Sequence, residues 1–250
     1  MNLKLLPLAL IAVTLFSCSS SDDSENDNNV DDPEKSEEQT ASCDKVENFV
    51  FVEKDGLVSV EFENAVFNDL WKLKKDNNNA TGKGYMVWDG AQYLNKPGEG
   101  LATYSIKINS PGTYRFMWKS AVKKGNSGSE HNDSWLRFAD ADDFFGEKEG
   151  STVYPKDTGK TPNPNGSSKD GWFKIYRSGN DLDFKWQAST SDNDSHPVFV
   201  TFDKAGVYTM EISARSSGHA IDKFVLFKDT VKQSDAIADD MKSSEITCKN

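Results

Sequence analysis

The chain has 250 residues, 40 Asp and Glu against 29 Lys and Arg, and a net charge of −11; 36% of it is hydrophobic. That is enough apolar material for one sizeable core, and the acidity argues against nucleic acid and anionic membrane surfaces as partners. There are three cysteines and neither a CxxC pair nor a Cys/His cluster, which excludes a structural zinc site.

The first element is a mainly apolar run, Leu5 to Phe16, behind the single cation Lys4. A membrane span needs roughly 20 apolar residues, so this run reads as a secretory signal. Leu15-Phe16-Ser17-Cys18 resembles a bacterial lipobox, although Phe16 stands where a small residue is usual. The resemblance implies a signal peptide over 1–17, a lipid on Cys18 and anchoring to the outer membrane; more than one acyl chain gives a stable anchor. Ser21-Asp22-Asp23 shortly after that cysteine resembles the surface-export signal of Bacteroidetes lipoproteins, which implies exposure at the cell surface. Residues 18–45 are acidic and carry no aromatic residue, a composition that predicts a disordered tether. The bland reading of this segment is a solvated spacer.

Cys43 and Cys248 then bracket the rest of the chain. In an oxidising compartment the pair invites a disulfide; two free thiols near the chain ends are the alternative.

Residues 46–228 suit one domain. Short β-branched and aromatic runs predict strands at 49–53, 57–62, 84–88, 101–108, 113–121, 134–138, 172–177, 182–187, 197–202, 207–214 and 220–227. Asp55-Gly56, Ser110-Pro111-Gly112 and Lys204-Ala205-Gly206 are turn signals between them. No segment before residue 230 keeps a 3.6-residue apolar period, and 229–250 reads as a tail with a short helix over 231–241. Many short strands without helical connections predict an all-β jelly-roll sandwich. Along the last strand both faces are largely apolar, so Asp222 falls in a buried setting and needs a partner or a metal.

Three stretches combine: Asp55-Gly56-Leu57-Val58-Ser59-Val60-Glu61-Phe62-Glu63, Pro111-Gly112-Thr113-Tyr114-Arg115-Phe116, and Gly218-His219-Ala220-Ile221-Asp222-Lys223-Phe224-Val225. In this order and spacing they resemble family 6 and family 35 carbohydrate-binding modules and the malectin-like, galactose-binding-like sandwiches. The resemblance implies a structural calcium held by Glu61, Glu63 and Asp222, which supply part of the six to eight oxygens this ion takes. Without the resemblance, Glu61 and Glu63 read as the solvent face of an amphipathic strand. The family's sugar-binding asparagine position is Ala220 here, a departure that bears on the usual sugar site.

Sugar-binding surfaces combine aromatic faces with amide, imidazole and carboxylate groups. The candidates are Tyr85, Trp88, Tyr93, Trp135, Tyr154 and Trp172, with the polar run His131-Asn132-Asp133 and His219. Core packing and turn capping are the competing roles for these residues. The long Gly/Pro/Asn loop from Tyr154 to Gly171 is of a length that is uncommon unless functional or mobile. No HExxH or GxSxG motif is present. The reading is a surface lipoprotein that binds polysaccharide without cutting it, beside neighbouring glycan-degrading enzymes or transporters. A small polysaccharide lyase or hydrolase on the same sandwich, and an adhesion module without a sugar site, are the rivals.

Overall fold

The computed structural model describes residues 43–190 and 193–249. The signal segment, Cys18 and the tether up to residue 42 lie outside the described residues. The strands are β1 Phe49–Val52, β2 Leu57–Glu61, β3 Trp71–Lys74, β4 Tyr85–Trp88, β5 Ala102–Ile108, β6 Gly112–Val122, β7 Asp133–Phe138, β8 Asp143–Lys148, β9 Ser151–Val153, β10 Ser168–Lys169, β11 Trp172–Tyr176, β12 Lys185–Trp186, β13 Val198–Phe202, β14 Gly206–Ser213, β15 His219–Phe227 and β16 Ile246–Cys248. The described region is nearly all β and forms two sheets. One runs β10-β11-β7-β14-β5-β1-β16; the other runs β3-β4-β15-β6-β13-β8-β9, with β2 paired to β15 and β12 to β6. Every pairing between these strands is antiparallel except β1 with β5.

The core lies between the sheets because strand period two sends alternate residues inward. Phe116 and Trp118 on β6, Leu136 and Phe138 on β7, Phe173 and Ile175 on β11, and Ile221 and Phe224 on β15 all enter one apolar cluster. Aromatic contacts knit the two layers together: Tyr104 meets Phe224 edge-on at 4.9 Å between ring centroids, and Phe116 meets Phe138 edge-on at 6.4 Å.

All eleven predicted strands appear, although the one expected over 182–187 shrinks to β12. Strands β3, β8, β9, β10 and β16 were not expected. Strand β8 hides behind Gly146, where a Cβ would come within 2.8 Å of Thr190 and 2.9 Å of His196; the missing side chain reports close approach, and in sequence it breaks the strand pattern. The tail also differs. Only Gln233–Ala236 is helical, and the chain goes on to β16, which pairs with β1. Cys43 and Cys248 are disulfide-bonded, with Cα atoms 5.4 Å apart and 205 residues of sequence between them.

Candidate functional site

The outward face of the seven-stranded sheet carries an unusual row of residues. On β7 the inward Leu136 and Phe138 alternate with Asp133, Trp135 and Arg137. On β11 the inward Phe173 and Ile175 alternate with Trp172, Lys174 and Tyr176. Register sets these side by side: Trp135 lies opposite Lys174 on one flank and Ser213 on the other, and Asp133 lies opposite Tyr176. An outward face normally meets water, yet Trp135 is only 1% exposed. The segment after β4 covers it: Tyr93 accepts a hydrogen bond from Trp135 Nε1 at 2.9 Å through its carbonyl, and its own N–H donates to the Arg215 carbonyl at 2.8 Å.

Two hollows open beside this cover. One, of about 450 Å³, is lined by residues that include Gln92, Leu94, His131, Asp133, Lys174 and Arg215. The other, of about 310 Å³, is lined by Trp135 with Asn95, Lys156, Asn165, Ser167 and Lys169 among others. They share a wall. The Arg215 guanidinium lies over the Trp135 ring at 5.2 Å and donates from Nη2 to Ser167 Oγ at 3.2 Å. Together they form a cleft floored by Trp135 and Arg215 and rimmed by three loop segments.

Asp133 anchors the charges in this cleft. Its Oδ2 accepts from Arg215 Nη1 at 2.5 Å, with Lys174 Nζ at 3.7 Å, and its Oδ1 accepts from Ser216 Oγ at 2.5 Å. A buried carboxylate needs such partners, and both oxygens have them. Asn132 is also bound inward, its amide donating to the Arg177 carbonyl at 2.6 Å and to the Gly128 carbonyl at 3.3 Å. His131 differs. Its backbone takes the left-handed conformation, φ 56°, which a non-glycine residue seldom adopts, and its Nδ1 is buried without a hydrogen-bond partner.

The structure therefore brings His131, Asn132, Asp133 and Trp135 to one place, and the other expected ligand residues to different ones. Trp88 packs inside the sandwich against Trp71, and Gly90 and Gly100 leave room for its ring; a Cβ on either would approach within 2.2 Å and 2.7 Å of it. Tyr85 is buried beneath Phe184, with its hydroxyl donating to Asp76 at 2.7 Å. Trp172 shares the outward face but is buried, with Arg137 lying 4.5 Å over its ring. His219 points into the sandwich, on the far side of the sheet from the cleft. Its Nδ1 bonds Ser134 Oγ at 2.8 Å, its ring meets Trp118 at 5.2 Å, and burial pushes its pKa down to about 3. Sequence reading missed Arg215, Lys174, Lys156 and Lys169. Lys174 had left a signal, because it stands between apolar residues in Trp172-Phe173-Lys174-Ile175-Tyr176.

Glu61, Glu63 and Asp222 do converge, around the segment 79–83. Thr81 donates from N to Asp222 Oδ1 at 2.9 Å and from Oγ1 to Glu61 Oε2 at 2.7 Å; Lys83 N donates to Glu63 Oε1 at 2.6 Å. Gly82 holds the segment in place, with φ 59° and Glu63 Oε1 only 2.4 Å from where a Cβ would be. Two ammonium groups complete the cluster. Lys119 Nζ lies 3.4 Å from Asp222 Oδ2 and donates to the Asn79 carbonyl at 2.5 Å, and Lys223 Nζ lies 2.9 Å from Glu61 Oε1. Burial raises the pKa of Asp222 and lifts that of Glu63 to about 7, with the neighbouring carboxylates adding to both effects. Glu63 Oε2 alone is buried without a partner. Calcium takes six to eight oxygens, and among the described residues no three or more His, Cys, Asp or Glu side chains are gathered as a metal site. As these side chains stand, lysines already supply positive charge to Asp222 and Glu61, and Glu63 makes no ion pair among the described residues.

A larger hollow, of about 860 Å³, runs between the β1–β2 turn and the C-terminal tail. Its lining includes Leu57, Val231 and Met241, and it follows the seam along which the tail closes on the sandwich.

No protein-family model matches the chain. It is 24% identical over 218 residues to uncharacterized protein P23 of Formosa agariphila, an alignment that covers 72% of this chain; the chain spans about half, 46%, of that relative's length. Similar solved structures include the GH26-CBM35 β-(1,4)-mannanase of Podospora anserina, with 15% identity, TM-score 0.42 and coverage of 72% of this chain and 29% of that one. A family 6 carbohydrate-binding module of Cellvibrio mixtus lichenase 5A, in complex with cellotriose, gives 13% identity, TM-score 0.35 and coverage of 68% and 96%. The C-terminal family 6 module of LamC, a marine laminarinase from Zobellia galactanivorans, gives 13% identity, TM-score 0.33 and coverage of 69% and 99%. Likenesses at this level assign no ligand to this chain.

Proposed function

We propose that the protein binds polysaccharide without cutting it, in the cleft over Trp135 and Arg215. The observation that carries this reading is the cleft itself: a concave strip beside the segment that covers Trp135, with His131 held in a left-handed conformation and its Nδ1 left without a protein partner. Exposed Gln92, Asn95 and Asn165 offer amides to sugar hydroxyls, and Leu94, 42% exposed, offers an apolar contact. The three sequence stretches that resemble carbohydrate-binding modules support the same reading. Trp135 serves here as the floor under Arg215 rather than as an open stacking platform.

Binding is favoured over catalysis by the state of Asp133. A glycosidase needs a carboxyl group free to hold or move a proton, and both oxygens of Asp133 are tied to Arg215 and Ser216. Glu130 at the rim has no second carboxylate of that kind beside it in the cleft lining. Calcium is not part of this reading, because Lys119 and Lys223 pair with Asp222 and Glu61, two of the three carboxylates that the resemblance offered to it. Anchoring through Cys18 at the outer membrane surface is a further part of the proposal, supported by the sequence signals alone. Shedding or precursor accumulation of a Cys18→Ala variant is its expected outcome; normal membrane retention contradicts it.

Affinity electrophoresis on a panel of plant and algal polysaccharides tests the binding reading. At least one glycan should retard the wild type without release of oligosaccharides. Gln92→Ala, Leu94→Ala and His131→Ala, all at the rim, should each weaken retardation by about three- to ten-fold, or roughly 1 kcal/mol. Retardation by no glycan, or new reducing ends during incubation, contradicts it.

A further inference from the structure

Resting on the binding reading above, we infer that the glycan recognised in this cleft is anionic, with sulfate or carboxylate groups seated against Lys156 and Lys169. The hollow beside Trp135 is lined by these two lysines and by no carboxylate. Both lysines are exposed, and both come from the long loop and the short strand β10 that ends it. Among the described residues the Lys156 side chain makes no ion pair. Lys169 has one, to Asp170 at 4.0 Å, with both side chains more than half exposed, and such a pair is weak. Arg215 continues the positive strip into the adjoining hollow. Its counter-ion is Asp133, which also lies 3.7 Å from Lys174 Nζ, and the Glu130 carboxylate lines that hollow as well.

This local balance runs against the rest of the molecule, whose net charge is −11. Long-range repulsion from an acidic protein works against a polyanion, and only charges placed at short range can reverse it. The same argument makes the interaction steeply sensitive to salt, because exposed charges beyond about 8 Å are screened at physiological ionic strength. Asn95, Asn165 and Ser167 line the same hollow and can donate hydrogen bonds to sulfate or carboxylate oxygens beside the lysines.

The test uses charge-matched pairs of polysaccharides with the purified full chain. Carrageenan is compared with its desulfated form, and polygalacturonate and alginate with their carboxyl-reduced forms, by affinity electrophoresis at low and at 0.5 M salt (roughly a 4 Å screening length). The expected result is retardation by the charged member of at least one pair, tenfold or more above its neutral partner by rough estimate, and lost at high salt. Which pair responds distinguishes sulfate from carboxylate. Lys156→Ala and Lys169→Ala should each weaken that binding by up to about five-fold and leave the melting temperature unchanged. Equal retardation by charged and neutral members overturns the anionic class and leaves polysaccharide binding standing. Charged-glycan binding that both lysine variants retain in full overturns the assigned seat. Retardation by no polysaccharide in any panel overturns both readings.

Discussion

Asp133, Asp222 and Glu53 are all buried carboxylates, and each is satisfied in a different way. Glu53 accepts from the backbone N–H groups of Gly56, Asn109 and Ser110, so one side chain ties two turns together. Asp133 gathers Arg215, Lys174 and Ser216 beneath the cleft. Asp222 faces Lys119 across 3.4 Å, with both side chains almost wholly buried. Removing one partner of such a pair strands the other, so Asp222→Ala should destabilise the fold by about 3 to 5 kcal/mol and lower the melting temperature by roughly 10 °C. A double variant, Lys119→Met with Asp222→Leu, should recover much of that loss. A chelator should leave the wild-type melting curve where it is; a clear drop would restore calcium to the cluster.

His219 gives a pH signature at the same scale. Its folded pKa, about 3, lies below the ordinary 6.5 because the imidazolium form is excluded by burial. Between these values the unfolded chain takes up a proton that the folded one refuses. Stability from this group is complete above pH 6.5 and falls as pH drops towards 3, by up to about 5 kcal/mol. Glu63 has the opposite sign: its pKa is raised from 4.5 to about 7, so ionising it removes stability as pH rises through that window. Urea melts at a series of pH values, on wild type and on His219→Gln, check this: the variant should lose much of the acid limb while retaining the rest.

At the scale of elements, strands were far more legible than the surfaces they carry. Alternation in Leu57–Glu61 and Gly112–Val122 announced β2 and β6, because one face of each must be buried. Strand β8 stayed hidden behind Gly146, and β10, two residues long, has its partner only in the fold. The aromatic candidates show why a site is harder to read. Trp88, Trp135 and Trp172 carry the same side chain, yet one lies inside the sandwich and two lie on its outer face under a loop or an arginine, a difference set by long-range contacts. His131-Asn132-Asp133 was legible as a polar run before a strand, whereas Arg215, more than eighty residues further on, reaches it only through the β7–β14 register. The disulfide, which the compartment argument anticipated, joins the segment before β1 to the end of β16. Reduction, or Cys248→Ser, should lower stability by at most about 5 kcal/mol in the chain-entropy model, because the loop it closes is so long. Denaturant melts with and without reductant measure that change.

For the whole molecule, one face of the sandwich is given over to a covered cleft and the opposite sheet carries the ion-paired carboxylate cluster. The rigid β scaffold fixes Trp135 and Asp133 on β7 and Arg215 on the segment after its neighbour β14, and loops supply the exposed rim. That division leaves the proposed rim residues open to substitution without loss of fold, and so makes the account testable by position. Backbone amide hydrogen exchange of the full chain, with and without the most strongly retarding polysaccharide, tests the central claim most directly. The account predicts slowed exchange over 91–96, 129–133 and 165–169, with the seam beneath the C-terminal tail unchanged. Protection confined to that seam, or spread evenly over the sandwich, would contradict it.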